Sequence, residues 1–211
     1  MANPYTLITG ASAGLGRLFA RACAKRGDKI ALVARRKDRL DKLAEELGPD
    51  TIVITEDLSD YDAADEIVQT IEDAGAHIGT LINNAGFGAR GEFHMLPIGD
   101  QVDMIQVNSI AVAQLCHRVV PSMIANGGGA ILNVASTAAF QAGPGMAVYY
   151  ASKAFVLTPH APVRPYLSIP LRTPQGCTPN DASVGDLDRD GENEIVLKQE
   201  MRPRDNSQAG T

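Results

Sequence analysis

Tyr149 and Lys153 stand four residues apart, a separation that places both on one face of a helix and brings an ammonium alongside a phenol. Such a pair stabilises phenolate and fits the phenol to give or take a proton in general acid–base chemistry. Tyr150 is turned about 100° round the same helix and falls out of that register. Taken singly, Tyr-x-x-x-Lys also describes an amphipathic helix with a lysine stem laid along its surface. A hydroxyl just past the preceding apolar run would add a donor to a substrate carbonyl oxygen as charge develops there. Ser136 and Thr137 both occupy that place. Position does not choose between them, and either also suits a turn cap.

A second group of residues suits an anion. Thr9-Gly10-Ala11-Ser12-Ala13-Gly14-Leu15-Gly16 joins the apolar run Tyr5–Thr9 to an amphipathic stretch. Backbone N–H groups and the positive end of a helix dipole would there face a phosphate. Each glycine removes a side chain where a pyrophosphate or a neighbouring strand must come close. The second apolar run ends in Ala34-Arg35-Arg36. An acid at that position accepts from ribose hydroxyls, whereas arginine meets a 2′-phosphate. Asp28 precedes the run and Asp38 lies beyond the arginines, so the pattern selects NADP(H) over NAD. The competing interpretation of Arg35, Arg36 and Lys37 is a solvated charge cluster at a helix start.

These groups need a scaffold that brings the ends of several strands together. Tyr5–Thr9, Ile30–Ala34, Thr51–Thr55, Thr80–Asn83 and Ala130–Val134 read as buried parallel strands. Residues 14–26, 38–47, 60–74, about 100–126 and 148–157 read as helices, with Pro121 expected to kink the fourth. Alternating strands and helices of this length predict an α/β fold, a Rossmann-type doubly wound parallel sheet. Ligands of such sheets bind at the carboxyl ends of the strands, where the loop, the arginines and Ser136 all fall.

With those motifs in place, residues 1–157 resemble the short-chain dehydrogenase/reductase family. The resemblance rests on the glycine loop, Asp57-Leu58 after strand three, Asn83-Asn84-Ala85-Gly86 after strand four, Asn108, Ser136, and Tyr149-Tyr-Ala-Ser-Lys153, all in order. It implies an oxidoreductase that moves a hydride between NADP(H) and a small carbonyl or secondary alcohol. It assigns Tyr149 as general acid/base, Lys153 as its partner and binder of the nicotinamide ribose, Ser136 as the group that orients the substrate oxygen, and Asn108 as the holder of a relay water. Gly10, Ser12, Gly14, Leu15, Gly16, Arg35 and Arg36 would hold the phosphates. Asp57 and Leu58 would contact the adenine, with Asn84, Ala85 and Gly86 lining the cleft.

The chain changes character after Leu157. Seven of its 12 prolines fall within 158–211, a spacing that forbids a long helix and favours extended backbone. Members of the family continue with a sixth and a seventh strand, which are expected to be missing here. Residues from about 165 to 210 instead resemble a fragment of a rhamnogalacturonan lyase β-propeller. Within them Asp186, Asp188, Asp190 and Glu194 occupy positions 1, 3, 5 and 9 of a loop with Gly191 at 6, a pattern for calcium. Leu197 at position 12 and Arg189 inside the loop oppose it. The expectation is an incomplete NADP-binding domain, 1–157, joined to an unrelated Pro-rich, acidic tail, 158–211, in a chimera. A sheet without its sixth strand exposes an edge, which predicts marginal stability and weak or absent turnover.

Composition narrows the remaining classes. The 211 residues are 45% hydrophobic and 21% charged, enough apolar material for a globular core. Net charge is -6 and there is no Trp, which argues against a nucleic-acid binder. Cys23, Cys116 and Cys177 form neither a disulfide framework nor a zinc pattern. No secretion leader or membrane-spanning run is visible, and the cytoplasm is the expected compartment. Three readings follow: an NADP-dependent oxidoreductase, a nucleotide-binding remnant without catalysis, and a calcium-binding piece of a polysaccharide lyase. A homo-oligomer is compatible with the first, although the resemblance implies that its usual interface is cut here.

Overall fold

The computed structural model describes residues 4–141 and 143–157, with two short segments at 183–185 and 194–196. Five parallel strands form one sheet in the order β3-β2-β1-β4-β5: β1 Tyr5–Thr9, β2 Lys29–Val33, β3 Ile52–Ile54, β4 Ile78–Asn83 and β5 Ala130–Asn133. The chain builds outward from β1 to β3, returns to β4 and continues to β5. The order therefore reverses between β1 and β4, and a crevice opens at their carboxyl ends.

Apolar runs make these strands because both faces of a parallel sheet are covered. Leu7, Ile8, Leu32, Leu81 and Ile82 are fully buried in the three central strands. One face packs on α3 Ala63–Asp73 and α5 Ala111–Ala125, whose Ile67, Ile71, Leu115 and Val119 share a cluster with Leu7 and Leu81. The other packs on α1 Gly14–Lys25 and α2 Lys37–Leu47 through Phe19, Ala20, Leu40 and Leu43. Each fully buried Leu or Ile contributes about 1.5–3 kcal/mol, so the two layers fix the sheet rigidly below the crevice.

The structure departs from the predicted elements in one consequential place. The helix expected over about 100–126 is three pieces: α4 Ile98–Ile105, a π-helical turn Gln106–Ile110, and α5. Pro121 lies inside α5, which continues to Ala125. A π turn falls around Asn108, whose side chain bonds to another segment, and such a turn is a common way to aim a functional residue out of helical phase. Smaller differences are at element ends: β4 begins at Ile78, where a register shift between Tyr5 and Thr6 admits Gly79, and α6 spans Ala147–Leu157.

Beyond α6, β6 Ser183–Gly185 pairs antiparallel with β7 Glu194–Val196. Asp186, Asp188 and Asp190 lie outside the described residues, as does most of the segment likened to a lyase. Among the described residues no cluster of three or more His, Cys, Asp or Glu is placed to hold a metal, and no helix is long and apolar enough to cross a membrane.

Candidate active site

The crevice begins where β1 runs into α1. Gly10 and Gly14 have φ of +67° and +52°, the left-handed region that glycine enters without strain. A Cβ on Gly10 would lie 2.8 Å from both Ala85 Cα and Asn84 Nδ2, and one on Gly16 would fall on the Gly10 carbonyl oxygen. The glycines thus let the loop and α1 press against the end of β4. No side chain caps α1 at Ala13, which leaves first-turn N–H groups for a ligand.

Two side chains hold this junction. Thr9 Oγ1 accepts from the backbone N–H of Asn84 at 3.1 Å and of Ala85 at 3.0 Å. Asn84 Nδ2 donates to the carbonyls of Thr9 and Gly10 at 3.0 and 3.3 Å. Asn84 thus lines the cleft and also ties β1 to β4, a task it shares with Thr9.

At the β2 end Arg36 reaches back to the loop, with Nε and Nη2 donating to Ser12 Oγ at 3.2 and 2.9 Å. Arg35 is exposed and pairs with Asp57 at 3.4 Å. Burial pushes the Asp57 carboxyl up, but the N–H and hydroxyl of Ser59 and the charge of Arg35 outweigh it and hold the group below the usual carboxylate range. Leu58 is buried beside it. Glu56, at the same end, is pushed up by burial and by the nearby Glu66 and Asp60.

At the other end α6 carries Tyr149 and Lys153. Lys153 is only 6% exposed, and its ammonium donates to the Val134 carbonyl at 3.1 Å. Burial lowers its pKa to about 8. Ser136 Oγ accepts from Ala138 N at 3.2 Å as the cap of the 3-10 turn Thr137–Phe140, which leaves the hydroxyl proton to point elsewhere. Tyr149 lies over Gly88, where a Cβ would come 3.0 Å from its ring, and meets Tyr150 edge-on at 6.3 Å. The Tyr150 ring instead packs where a Cβ of Gly143 would sit.

Asn108 is buried behind this end. Its Oδ1 accepts from Phe87 N at 3.0 Å, and its Nδ2 donates to Phe87 O at 2.9 Å and Ser152 Oγ at 3.0 Å. Ser152 in turn donates to the Tyr149 carbonyl at 2.8 Å. The Asn108 side chain thereby braces the β4–α4 loop against α6.

One cleft of about 850 Å³ joins the two ends, within the size range of small-molecule and cofactor sites. Gly10, Ser12, Gly14, Leu15, Arg35, Arg36, Asp57, Leu58, Asn84, Ala85, Gly86, Ser136, Tyr149 and Lys153 all line it, while Gly16 and Asn108 support it from behind. Of the two hydroxyls past β5, Ser136 faces the cleft and Thr137 does not. Arg90, Asp103, Val107 and Met146 also line it and were not foreseen. They sit in irregular segments or beside the π turn, where periodicity carries no signal.

The family model for short chain dehydrogenases matches residues 4–159. The chain is 36% identical over 161 residues to a very-long-chain 3-oxoacyl-CoA reductase of Anas platyrhynchos, covering 72% of this chain and 51% of the relative. It is 39% identical over 158 residues to sulfoacetaldehyde reductase 2 of Chromohalobacter salexigens, covering 73% and 63%. A short-chain dehydrogenase from Sphingobium yanoikuyae in complex with NADPH superposes with a TM-score of 0.68 at 37% identity, covering 73% and 62%. The chain thus spans about half the length of the 3-oxoacyl-CoA reductases it matches.

Proposed function

This chain belongs to the short-chain dehydrogenase family of oxidoreductases, and from that premise we propose that it transfers a hydride reversibly between NADP(H) and a small carbonyl or secondary alcohol. The observation that carries the reading is the convergence of Ser136, Tyr149 and Lys153 at one end of a single cleft whose other end holds Ser12, Arg36 and the glycine loop.

The residues present fit the cofactor. Gly10 and Gly14 carry the loop through left-handed turns with no side chain over the cleft, the first turn of α1 is uncapped, and the Arg36–Ser12 pair offers donors to a 2′-phosphate. When bound, NADP(H) supplies or accepts the hydride. Ser136 donates to the substrate oxygen, and Tyr149 delivers a proton to that oxygen in reduction and withdraws it in oxidation. The Lys153 ammonium stabilises the phenolate side of that exchange and offers donors to ribose hydroxyls. Asn108 and Ser152 position α6, and so Tyr149, against the loop.

Purified protein should consume NADPH with a panel of small ketones and aldehydes, and Tyr149→Phe should lower turnover by about 10²–10⁴-fold. NADPH consumption that Tyr149→Phe leaves intact would overturn the reading. A second reading, nucleotide binding without turnover, is favoured by β5, an edge strand of the sheet among the described residues. It predicts enhanced NADPH fluorescence on binding with no consumption. Self-association is a further part of the proposal: Ile98, Val102 and Ile105 share one face of α4 and are all exposed, and light scattering on Val102→Glu against the parent tests it.

A further inference from the structure

We infer that Arg90 selects substrates bearing a carboxylate or sulfonate, a specificity that rests on the NADP(H) reading above. Arg90 is exposed and lines the cleft together with Gly88, Met146 and Tyr149. Its place is set by the backbone: Gly91 N donates to Gly145 O at 2.8 Å, and a Cβ on Gly145 would lie 3.9 Å from Arg90 Cγ. The side chain is thus rooted where the β4–α4 loop meets the segment leading into α6, at the Tyr149 end.

No carboxylate within ion-pair distance neutralises this guanidinium among the described residues. Asp103 lines the same cleft without pairing to it, and neighbouring Glu92 lies 3.8 Å from His94. The other arginines of the cleft are engaged, Arg35 with Asp57 and Arg36 with Ser12. Among the described residues Arg90 is the arginine of the cleft with no side-chain partner.

The cofactor's phosphates do not account for it. The glycine loop, the first turn of α1 and Arg36 serve them at the opposite end. At the Tyr149 end the cofactor presents a nicotinamide ring that is neutral when reduced and cationic when oxidised, so an unpaired guanidinium nearby opposes the oxidised state. An anionic substrate reverses that penalty. Guanidinium and an oxyanion form paired, charge-assisted hydrogen bonds with fixed geometry, which would orient the carbonyl of a short oxo acid toward Ser136 and Tyr149.

The test uses the full chain with acetoacetate, 2-oxopropanesulfonate and the neutral acetoacetamide as probes. NADPH fluorescence titration first reads the cofactor end alone, then each probe is titrated into the NADPH complex. Both anions should bind at least about tenfold more tightly than the amide. Arg90→Gln should reduce that preference to near unity, and Arg90→Lys should keep part of it. A parent that binds NADPH but does not distinguish anion from amide overturns the inference and leaves the cofactor reading standing. So does an Arg90→Gln variant that keeps the preference, or one that loses NADPH itself and so marks Arg90 as a cofactor contact. A parent that binds no NADPH overturns both.

Discussion

Arg36, at the threshold of α2, donates two hydrogen bonds to the hydroxyl of Ser12 in the phosphate loop. The two residues come from the ends of different strands, and their contact closes the phosphate end of the cleft with a polar clamp. A 2′-phosphate entering there would take over the donors that Ser12 now occupies, which is a smaller rearrangement than stripping a fully hydrated side chain. Arg36→Gln should therefore weaken NADPH by about 10–100-fold while leaving NADH nearly unchanged. Parallel fluorescence titrations with the two nucleotides measure this, and an equal loss for both would show Arg36 to be purely structural.

Lys153 is held at a thermodynamic cost. Burial lowers its folded pKa to about 8 from 10.5, so between those values the unfolded chain binds more protons than the folded one. Stability contributed through this group then rises with pH from about 8 to 10.5, and the penalty is fully present below pH 8. The shift corresponds to about 3 kcal/mol. Lys153→Met, which replaces the ammonium with an apolar chain of similar length, should melt higher than the parent at pH 7. That advantage should shrink toward pH 10 while turnover is lost. A variant less stable than the parent at pH 7 would mean that the bond to the Val134 carbonyl outweighs desolvation.

Asn108 connects α6 to the β4–α4 loop through Ser152 and Phe87. Removing its amide leaves Phe87 N and Phe87 O without that partner, each costing about 1–3 kcal/mol where water cannot replace it, while Ser152 Oγ keeps its bond to the Tyr149 carbonyl. Asn108→Leu should lower the melting temperature by roughly 2–4 °C per kcal/mol lost. It should also depress kcat more than the KM for NADPH, because α6 loses alignment while Arg36 and the glycine loop stay in place. Equal effects on both would place Asn108 in cofactor binding instead.

The parallel sheet was legible because its strands are covered on both faces and so read as apolar runs without alternation, as in Lys29–Val33 and Ile78–Asn83. The glycine loop was legible because its residue type is demanded by backbone proximity rather than by a partner. The π turn at Gln106–Ile110 was not, since the Asn108 side chain within it bonds to Phe87, a long-range contact that no local period encodes. Arg90 was invisible for a related reason: it lies in an irregular loop, and the pairing of Gly91 with Gly145 sets it against the segment that leads into α6. Position alone left Ser136 and Thr137 open and only the family resemblance chose Ser136; in the structure Ser136 caps a turn and lines the cleft, whereas Thr137 is exposed outside it.

Gly16 offers a test whose sign runs against helix propensity. It lies in α1, where glycine is ordinarily about 1 kcal/mol worse than alanine. Here an added Cβ would land on the Gly10 carbonyl oxygen and 2.6 Å from Asn84 Nδ2. Neither neighbour is free to yield, because Gly10 O and Thr9 O both accept from that same Asn84 amide. Gly16→Ala should therefore lower the melting temperature despite its better propensity, and it should weaken NADPH binding by displacing the loop. The exposed glycine Gly99 has nothing within 4 Å of its built Cβ and lies in α4, so Gly99→Ala serves as the control, with an unchanged or higher melting temperature expected. If both substitutions stabilise equally, the junction of α1 with β4 is looser than these contacts require.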